Sequence, residues 1–322
     1  MTRQNIWRLL LGTGILAVLF GAAFQKTYLA LILCRVGIYI IAVSGLDILF
    51  GYTGQISFGH AAFFAIGAYT SAILSIQFRI TPVIAMVIGS IVSVIIGILI
   101  AIPASKLVKH FLSLLTIAFG QLVFTFVNST RWLTGGASGL KDIPAISIAG
   151  YELDTYAKNL IFIFVIVVLV MLTKKRIVES RTGRAFIAVR ENVQGAYSSG
   201  INVRRYKIMA FAISAAFTGL AGGLYAHLIH FISPDTFNST QSTLFMTILL
   251  FGGMSSLAGP VIGSVILLII REVLQGFATY QLLIYAIFIL IVLYFLPTGM
   301  VGLIGGLRVR LEAVLERRRK KC

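Results

Sequence analysis

The sequence predicts an all-α, polytopic integral membrane protein of about ten transmembrane helices. Three observations carry this. Of its 322 residues, 58% are hydrophobic and only 11% are charged, where a soluble domain carries about 25% charge. The apolar residues fall in runs close to the roughly 20 that cross a bilayer as a helix. The basic residues collect in a few of the segments between those runs. A soluble globular fold is excluded, because so few charges could not cover its surface. A disordered chain is excluded by the hydrophobicity. The net charge of +17 first suggests nucleic acid. That partner needs a basic face on a soluble fold, and about ten spans leave no room for a sizeable one.

The apolar runs are 7–24, 28–50, 54–76, 82–103, 107–127, 159–173, 208–230, 241–256, 259–277 and 280–303. The first has a basic start and ends in Gly21-Ala22-Ala23. It fits a signal peptide or a span, and is read as a retained span because the next run follows at once. The stretch 51–76 is rich in Gly and Ala and is expected to be a broken or re-entrant helix. The eighth and ninth runs are joined by a Gly- and Pro-bearing turn at 252–260.

Orientation follows from charge. With the N-terminus inside, twenty of the 27 basic residues fall on the cytoplasmic side. They are Arg3 and Arg8, Lys106 and Lys109, nine between Lys174 and Lys207, and seven in the tail. Positive charge is retained in the cytoplasm. Both termini are therefore expected there, which an even number of spans satisfies. The chain 1–322 reads as one transmembrane domain. It carries an outer loop at 128–158, a cytoplasmic loop at 174–207 and a basic cytoplasmic tail at 305–322.

The chemistry is marked by what is missing. No G-x-x-x-x-G-K-[ST] phosphate loop occurs, so the chain is not expected to hydrolyse ATP or to be an enzyme. The cysteines (Cys34 and Cys322) and the four histidines form no metal-ligand cluster. No cofactor or metal is expected. His227 and His230 share a helix face near the outer end of a span, without a third ligand. Arg35 and Asp47 lie in the second run, about 18 Å apart along a helix, too far to pair. Asp47 is expected to reach water or to cap the broken helix. Arg35 is expected to snorkel outward or to pair with another span.

The segment 51–69 reads G-Y-T-G-Q-I-S-F-G-H-A-A-F-F-A-I-G-A-Y. Its recurring small residues let helices approach closely. Gln55, Ser57 and His60 have no reason to face lipid. Two readings stand: tight packing with internal hydrogen bonds, or a discontinuous helix lining a path. A half-helix N-terminus offers free N–H groups and a positive dipole end to a carboxylate, such as that of an amino acid. Gln121 is placed on the same path. The candidate path residues are thus Gln55, Ser57, His60 and Gln121.

Within the cytoplasmic loop, residues 184–199 alternate as a short helix would. Phe186, Ile187, Val189 and Val193 stand against Arg184, Arg190, Glu191 and Gln194. Gly195, Ala196 and Gly200 are small enough to admit another chain. The segment is either a solvated loop that sets topology or a docking helix for a cytoplasmic partner. A chain without an energy-converting motif favours the second.

Four stretches carry a resemblance: 51–69; Leu133-Thr134-Gly135-Gly136-Ala137-Ser138-Gly139-Leu140; 181–225, from R-T-G-R-A through G-I-N-V to G-L-A-G-G-L-Y; and 252–263. In this order they resemble the permease subunits of branched-chain amino acid ABC transporters, of the LivM type. The likeness covers nearly all the chain after the first run. It implies a multi-pass protein of a prokaryotic inner or plasma membrane. It also implies ATP-driven import of leucine, isoleucine and valine by alternating access. The implied partners are a second related permease, two ABC ATPase subunits that hydrolyse the ATP, and an extracytoplasmic substrate-binding protein. The docking pattern E-A-A-x-x-x-G of wider importers falls on Gln194-Gly195-Ala196 and Gly200, with its Glu and first Ala replaced. The coupling candidates are Arg184, Arg190, Glu191, Gln194, Gly195, Ala196 and Gly200. A urea or short-chain amide importer permease is the close alternative, and an ion-coupled carrier acting alone is a third.

Overall fold

The structure, a computed structural model, describes residues 27–107, 109–148, 151–274, 290 and 299–302. The expected span 7–24, most of 280–303 and the tail 305–322 lie outside them. Helix α1, Thr27–Leu46, continues without a break into π-helical turns at Asp47–Tyr52. It has no proline and is apolar nearly all round, which marks a helix enclosed by others. From Val36 to Leu49 every residue is buried. There follow α2, His60–Gln77; α3, Pro82–Ala104; α4, Lys109–Ser129; and α5, Tyr156–Glu179. The chain goes on through α6, Arg181–Glu191; α7, Val193–Ser198; α8, Val203–Ile229; α9, Ser239–Gly252; and α10, Gly259–Val273. Pro82 and Pro260 stand in the first turns of α3 and α10, where a missing N–H costs nothing. Two-residue strands β1, Ser147–Ile148, and β2, Tyr151–Glu152, pair antiparallel.

Among the described residues, five helical segments are long and apolar enough to cross a membrane: Tyr28–Tyr52, Pro82–Ala104, Phe111–Ser129, Tyr156–Glu179 and Val203–Ile229. Helices α2, α9 and α10 have 18, 14 and 15 residues. At 1.5 Å per residue they fall short of the roughly 30 Å hydrocarbon core. Of the ten expected spans, the eight that fall on described residues correspond to five full-length helices and three shorter ones. The short ones are punctuated by the irregular segments 53–59 and 253–258.

Helix α8 is the hub, packed against α1, α2 and α3. Lipid offers no hydrophobic drive between helices, so close van der Waals approach must hold them. The seam supplies it: a Cβ on Gly67 of α2 would collide with the backbone of Gly219 on α8. Away from this seam, Ile84, Ile91, Ile95 and Leu99 of α3, and Val165 and Leu169 of α5, are exposed at helical spacing. In a bilayer these faces meet acyl chains.

The bundle has a basic end, carrying α6, α7 and the start of α8, and a hairpin end, carrying β1 and β2. At the hairpin end, His227 Nδ1 bonds to the Pro144 carbonyl and His230 Nδ1 to that of Ile143, at 2.8 and 2.9 Å. The paired histidines hold down the segment before β1.

Candidate functional site

The break between the π-helical turns and α2 falls at 53–59, and it does more than turn a corner. His60 opens α2 and its Nε2 lies 2.6 Å from Ser214 Oγ of α8. Ser214 is eleven residues into α8, about 16 Å from that helix's start. The N-terminus of α2 therefore sits deep within the bundle, not at its end. The expected discontinuous helix is present, with its break at 53–59.

The polar groups at this point satisfy one another. Ser57 Oγ meets His60 Nδ1 at 3.1 Å. Of the free N–H groups that any helix start leaves, Ala61 N donates to Ser242 Oγ at 2.9 Å; just ahead of the helix, Phe58 N donates to Thr116 Oγ1 at 3.1 Å. Gln55 Nε2 donates to Thr53 Oγ1 at 2.9 Å and to the Lys207 carbonyl at 3.4 Å, while its buried Oε1 has no partner among the described residues. Gln55, Ser57 and His60 are all buried; Ser57 and His60 are brought together, whereas Gln55 meets α8 at Lys207, seven residues before the Ser214 that His60 touches. Gln121 is not buried; it follows Gly120, which packs on Gly59, but its own side chain is exposed on α4. Ser214, Ser242 and Thr116 belong to this site and escaped the sequence reading. Their only signal was hydroxyls on otherwise apolar faces.

A second cluster lies at the basic end. Lys174 Nζ is 2.7 Å from Asp47 Oδ2, with both side chains fully buried. Lys174 also donates to the Ser256 carbonyl, and Ser255 N donates to Asp47 Oδ1 at 2.8 Å. Asp47 therefore neither reaches water nor caps a helix. Lys174 was expected in a loop, but α5 runs on to Glu179 and carries it inward. A buried carboxylate makes that placement tolerable, because a lone charge there would be costly.

Arg190 joins this cluster to α6. Its Nη1 donates to the Gly51 carbonyl at 2.9 Å and to Ser255 Oγ at 2.5 Å, and its Nη2 pairs with Glu191 at 2.6 Å. Arg184 is exposed, and its Nη1 reaches the Glu179 carbonyl. The stretch 174–207, expected as a cytoplasmic loop with a short helix within 184–199, is mostly helical. Asn192 caps α7 by accepting from Gly195 N. At its far end Ile201 N bonds to the Ala196 carbonyl and Gly200 N to that of Tyr197. This is a Schellman ending, in which the glycine takes a left-handed conformation; Gly200 has φ +78°. Ala196 is buried against Val189 and Val203. Gln194, Gly195 and Gly200 remain exposed, beside a Tyr197 that is 73% exposed. Tyr197 was missed as part of this surface.

A family model described as the branched-chain amino acid transport system / permease component matches residues 28–297. The chain belongs to this family. The permease is 30% identical over 286 residues to the high-affinity branched-chain amino acid transport system permease protein LivM of Escherichia coli, covering 82% of this chain and 67% of that one. It is 24% identical to a probable branched-chain amino acid transport permease protein LivM of Methanocaldococcus jannaschii, covering 85% and 93%. A more distant likeness, 28% over 45% of this chain and 41% of the other, is to the autoinducer 2 import system permease protein LsrC of Salmonella typhimurium. No solved structure matches. With its apolar helices, the permease is a multi-pass protein of a prokaryotic cell membrane.

Proposed function

We propose that the permease translocates leucine, isoleucine and valine into the cytoplasm by alternating access, driven by ATP hydrolysed in separate subunits. The observation that carries the mechanism is the start of α2 deep in the bundle. There the positive end of a helix lies at mid-depth, where a substrate carboxylate would have to be held. In this arrangement the Ser242 hydroxyl occupies the helix's Ala61 N–H, and the Thr116 hydroxyl the Phe58 N–H just before it. Opening the path exchanges them for the carboxylate. Gln55, Ser57 and His60 form its lining on this subunit. Gln121, exposed on α4, faces a second, related permease. The substrates come from the names of the relatives.

The α6–α7 surface docks the ATPase subunits on the cytoplasmic side, through Arg184, Glu191, Gln194, Gly195 and Gly200, with Ala196 packed beneath them. Arg190 passes the movement inward, since it holds both Gly51, just before the break, and Ser255. An extracytoplasmic binding protein delivers substrate at the hairpin end. Both chain termini and the tail 305–322 lie on the cytoplasmic side. The test is uptake into proteoliposomes holding the permease, its partner subunits and the binding protein. Leucine accumulates only with ATP inside the ATPase compartment. Uptake that continues without ATP overturns the proposal.

A further inference from the structure

Two helices end their outward faces in the same way at the basic end. On α5, Ile161, Val165, Leu169 and Leu172 are exposed, and Arg176 follows one turn later, exposed as well. At 3.6 residues per turn these five fall within about 80° of arc, so they share one face. On α3, Ile91, Ile95, Leu99 and Ile102 are exposed at the same spacing, and the exposed Lys106 stands just past the helix end. A face that meets acyl chains thus ends twice in a cation. Tyr156 opens α5 about 30 Å before Arg176 along the helix, one hydrocarbon thickness. With Tyr156 at one interface, where tyrosine is enriched, Arg176 reaches the headgroups of the other.

The two sides of α5 are held differently here. Lys174 points inward to Asp47. Arg176 lies on the opposite side, and its guanidinium has no ion-pair or hydrogen-bond partner among the described residues. Arg181, exposed just beyond the Ser180 turn, has none either. It stands in the first turn of α6, where the helix dipole disfavours a cation, and that turn holds no acid. Residues 175–184 carry four bases, Lys175, Arg176, Arg181 and Arg184, and one acid, Glu179. Glu179 leans on Lys175, at 4.0 Å. Four basic residues beside the end of a membrane helix attract anionic headgroups, and a guanidinium matches a phosphate in geometry. A soluble anion uses the arginines and leaves the apolar face idle. A lipid with a balanced headgroup does the reverse. A lipid whose phosphate has no balancing ammonium suits both.

We propose that an anionic phospholipid binds at the corner between α5 and α6, its headgroup phosphate held by Arg176 and Arg181 and an acyl chain lying along Leu172, Leu169 and Val165. The site is independent of what the permease carries. The experiment uses the complete transporter in phosphatidylcholine nanodiscs doped with phosphatidylglycerol that bears a diazirine in one acyl chain. Labelled peptides are mapped by mass spectrometry. Label is expected on the α5 peptide carrying Val165, Leu169 and Leu172. Replacing part of the phosphatidylcholine by unlabelled phosphatidylglycerol, at constant probe, should suppress it roughly fivefold or more. The same share of phosphatidylethanolamine, whose ammonium balances its phosphate, should not, and neither should inorganic phosphate in the buffer. Arg176→Gln should lower the label roughly fivefold, the effect of one basic residue near a headgroup layer, and Arg176→Lys should retain most of it. Arg131→Gln, exposed at the hairpin end, should leave it unchanged. The competition is read on the unaltered protein, so a variant that fails to fold does not decide the matter. Equal suppression by phosphatidylethanolamine means ordinary solvation by lipid and overturns the site, as does label that inorganic phosphate removes. Absence of label on α5 means that a partner subunit covers the corner, and overturns it too. Full label in a folded Arg176→Gln transporter removes Arg176 from the headgroup and overturns the proposal as stated.

Discussion

The Lys174 ammonium lies 2.7 Å from the Asp47 carboxylate, and neither side chain has any exposure. One belongs to α5 and the other to the π-helical end of α1, so the pair ties two long helices together at the basic end. Removing one member of a buried pair typically costs about 3–5 kcal/mol, because the other charge is left stranded, whereas removing both costs far less. Lys174→Met and Asp47→Ala should each lower the thermal midpoint of the detergent-purified transporter. The double variant Asp47→Asn with Lys174→Met should recover most of the loss, since Asn still accepts from Ser255 N. Equal losses in all three would show that the charges do not act as a pair.

Arg190 makes a different kind of link, from a short amphipathic helix to the last residues before the break. A hydrogen bond from a charged donor contributes about 1.5–3 kcal/mol, enough to move two elements as one. Arg190→Ala should leave an assembled complex that hydrolyses ATP but imports leucine at least tenfold more slowly. Arg190→Lys should fall between, because an ammonium cannot reproduce the guanidinium fork. Glu179→Gln is the control: its pair with Lys175 is loose, at 4.0 Å, and worth little. Full uptake with Arg190→Ala would remove this residue from coupling.

The membrane class was legible because composition alone decides which solvent a chain tolerates. The break near Gly54 and Gly59 was legible as well, since small and polar residues interrupt an apolar run. Lys174 was not. Lys174, Lys175 and Arg176 are adjacent, and a count of charges assigns all three to water. Only the distant Asp47 distinguishes the first of them. Ser214 and Ser242 escaped for a related reason: a serine in an apolar helix looks alike whether it bonds its own turn or caps another helix. Gln121 shows the third limit, because α4 is apolar on several faces and its rotation is set by packing rather than pattern.

The α6–α7 surface offers two glycines that separate docking from folding. A Cβ at Gly195 would meet only Asn192, at 3.5 Å or more, and its backbone is helical. Gly200 has open space around it but a left-handed backbone, which costs an ordinary residue about 1–2 kcal/mol. Gly195→Trp should therefore fold normally and still block close approach of an ATPase subunit. ATPase copurification and ATP-driven uptake should both fall. Gly200→Trp combines the blockade with local strain, and Gly200→Asn, tolerant of that conformation, should keep function. Unchanged copurification and uptake with Gly195→Trp would place the docking surface elsewhere.

At the hairpin end the tautomer of His227 can be assigned from its neighbours. Nδ1 faces the Pro144 carbonyl at 2.8 Å, which can only accept, so Nδ1 carries a proton. In the neutral ring Nε2 then has a free lone pair, and the Ser71 hydroxyl donates to it at 2.8 Å. His227→Phe fills the volume but strands both partners. An unsatisfied buried group costs about 1–3 kcal/mol, which predicts roughly five- to hundredfold faster amide exchange in the segment around Ile143, read by mass spectrometry. Ser71→Ala should raise it less, since the bond to Pro144 survives. His230 holds the adjacent Ile143 carbonyl. The two histidines act on one stretch of backbone, so the double variant should be less than additive. Exchange that is unchanged in His227→Phe would mean that the segment is held by the Leu140–Ile232 bridge alone.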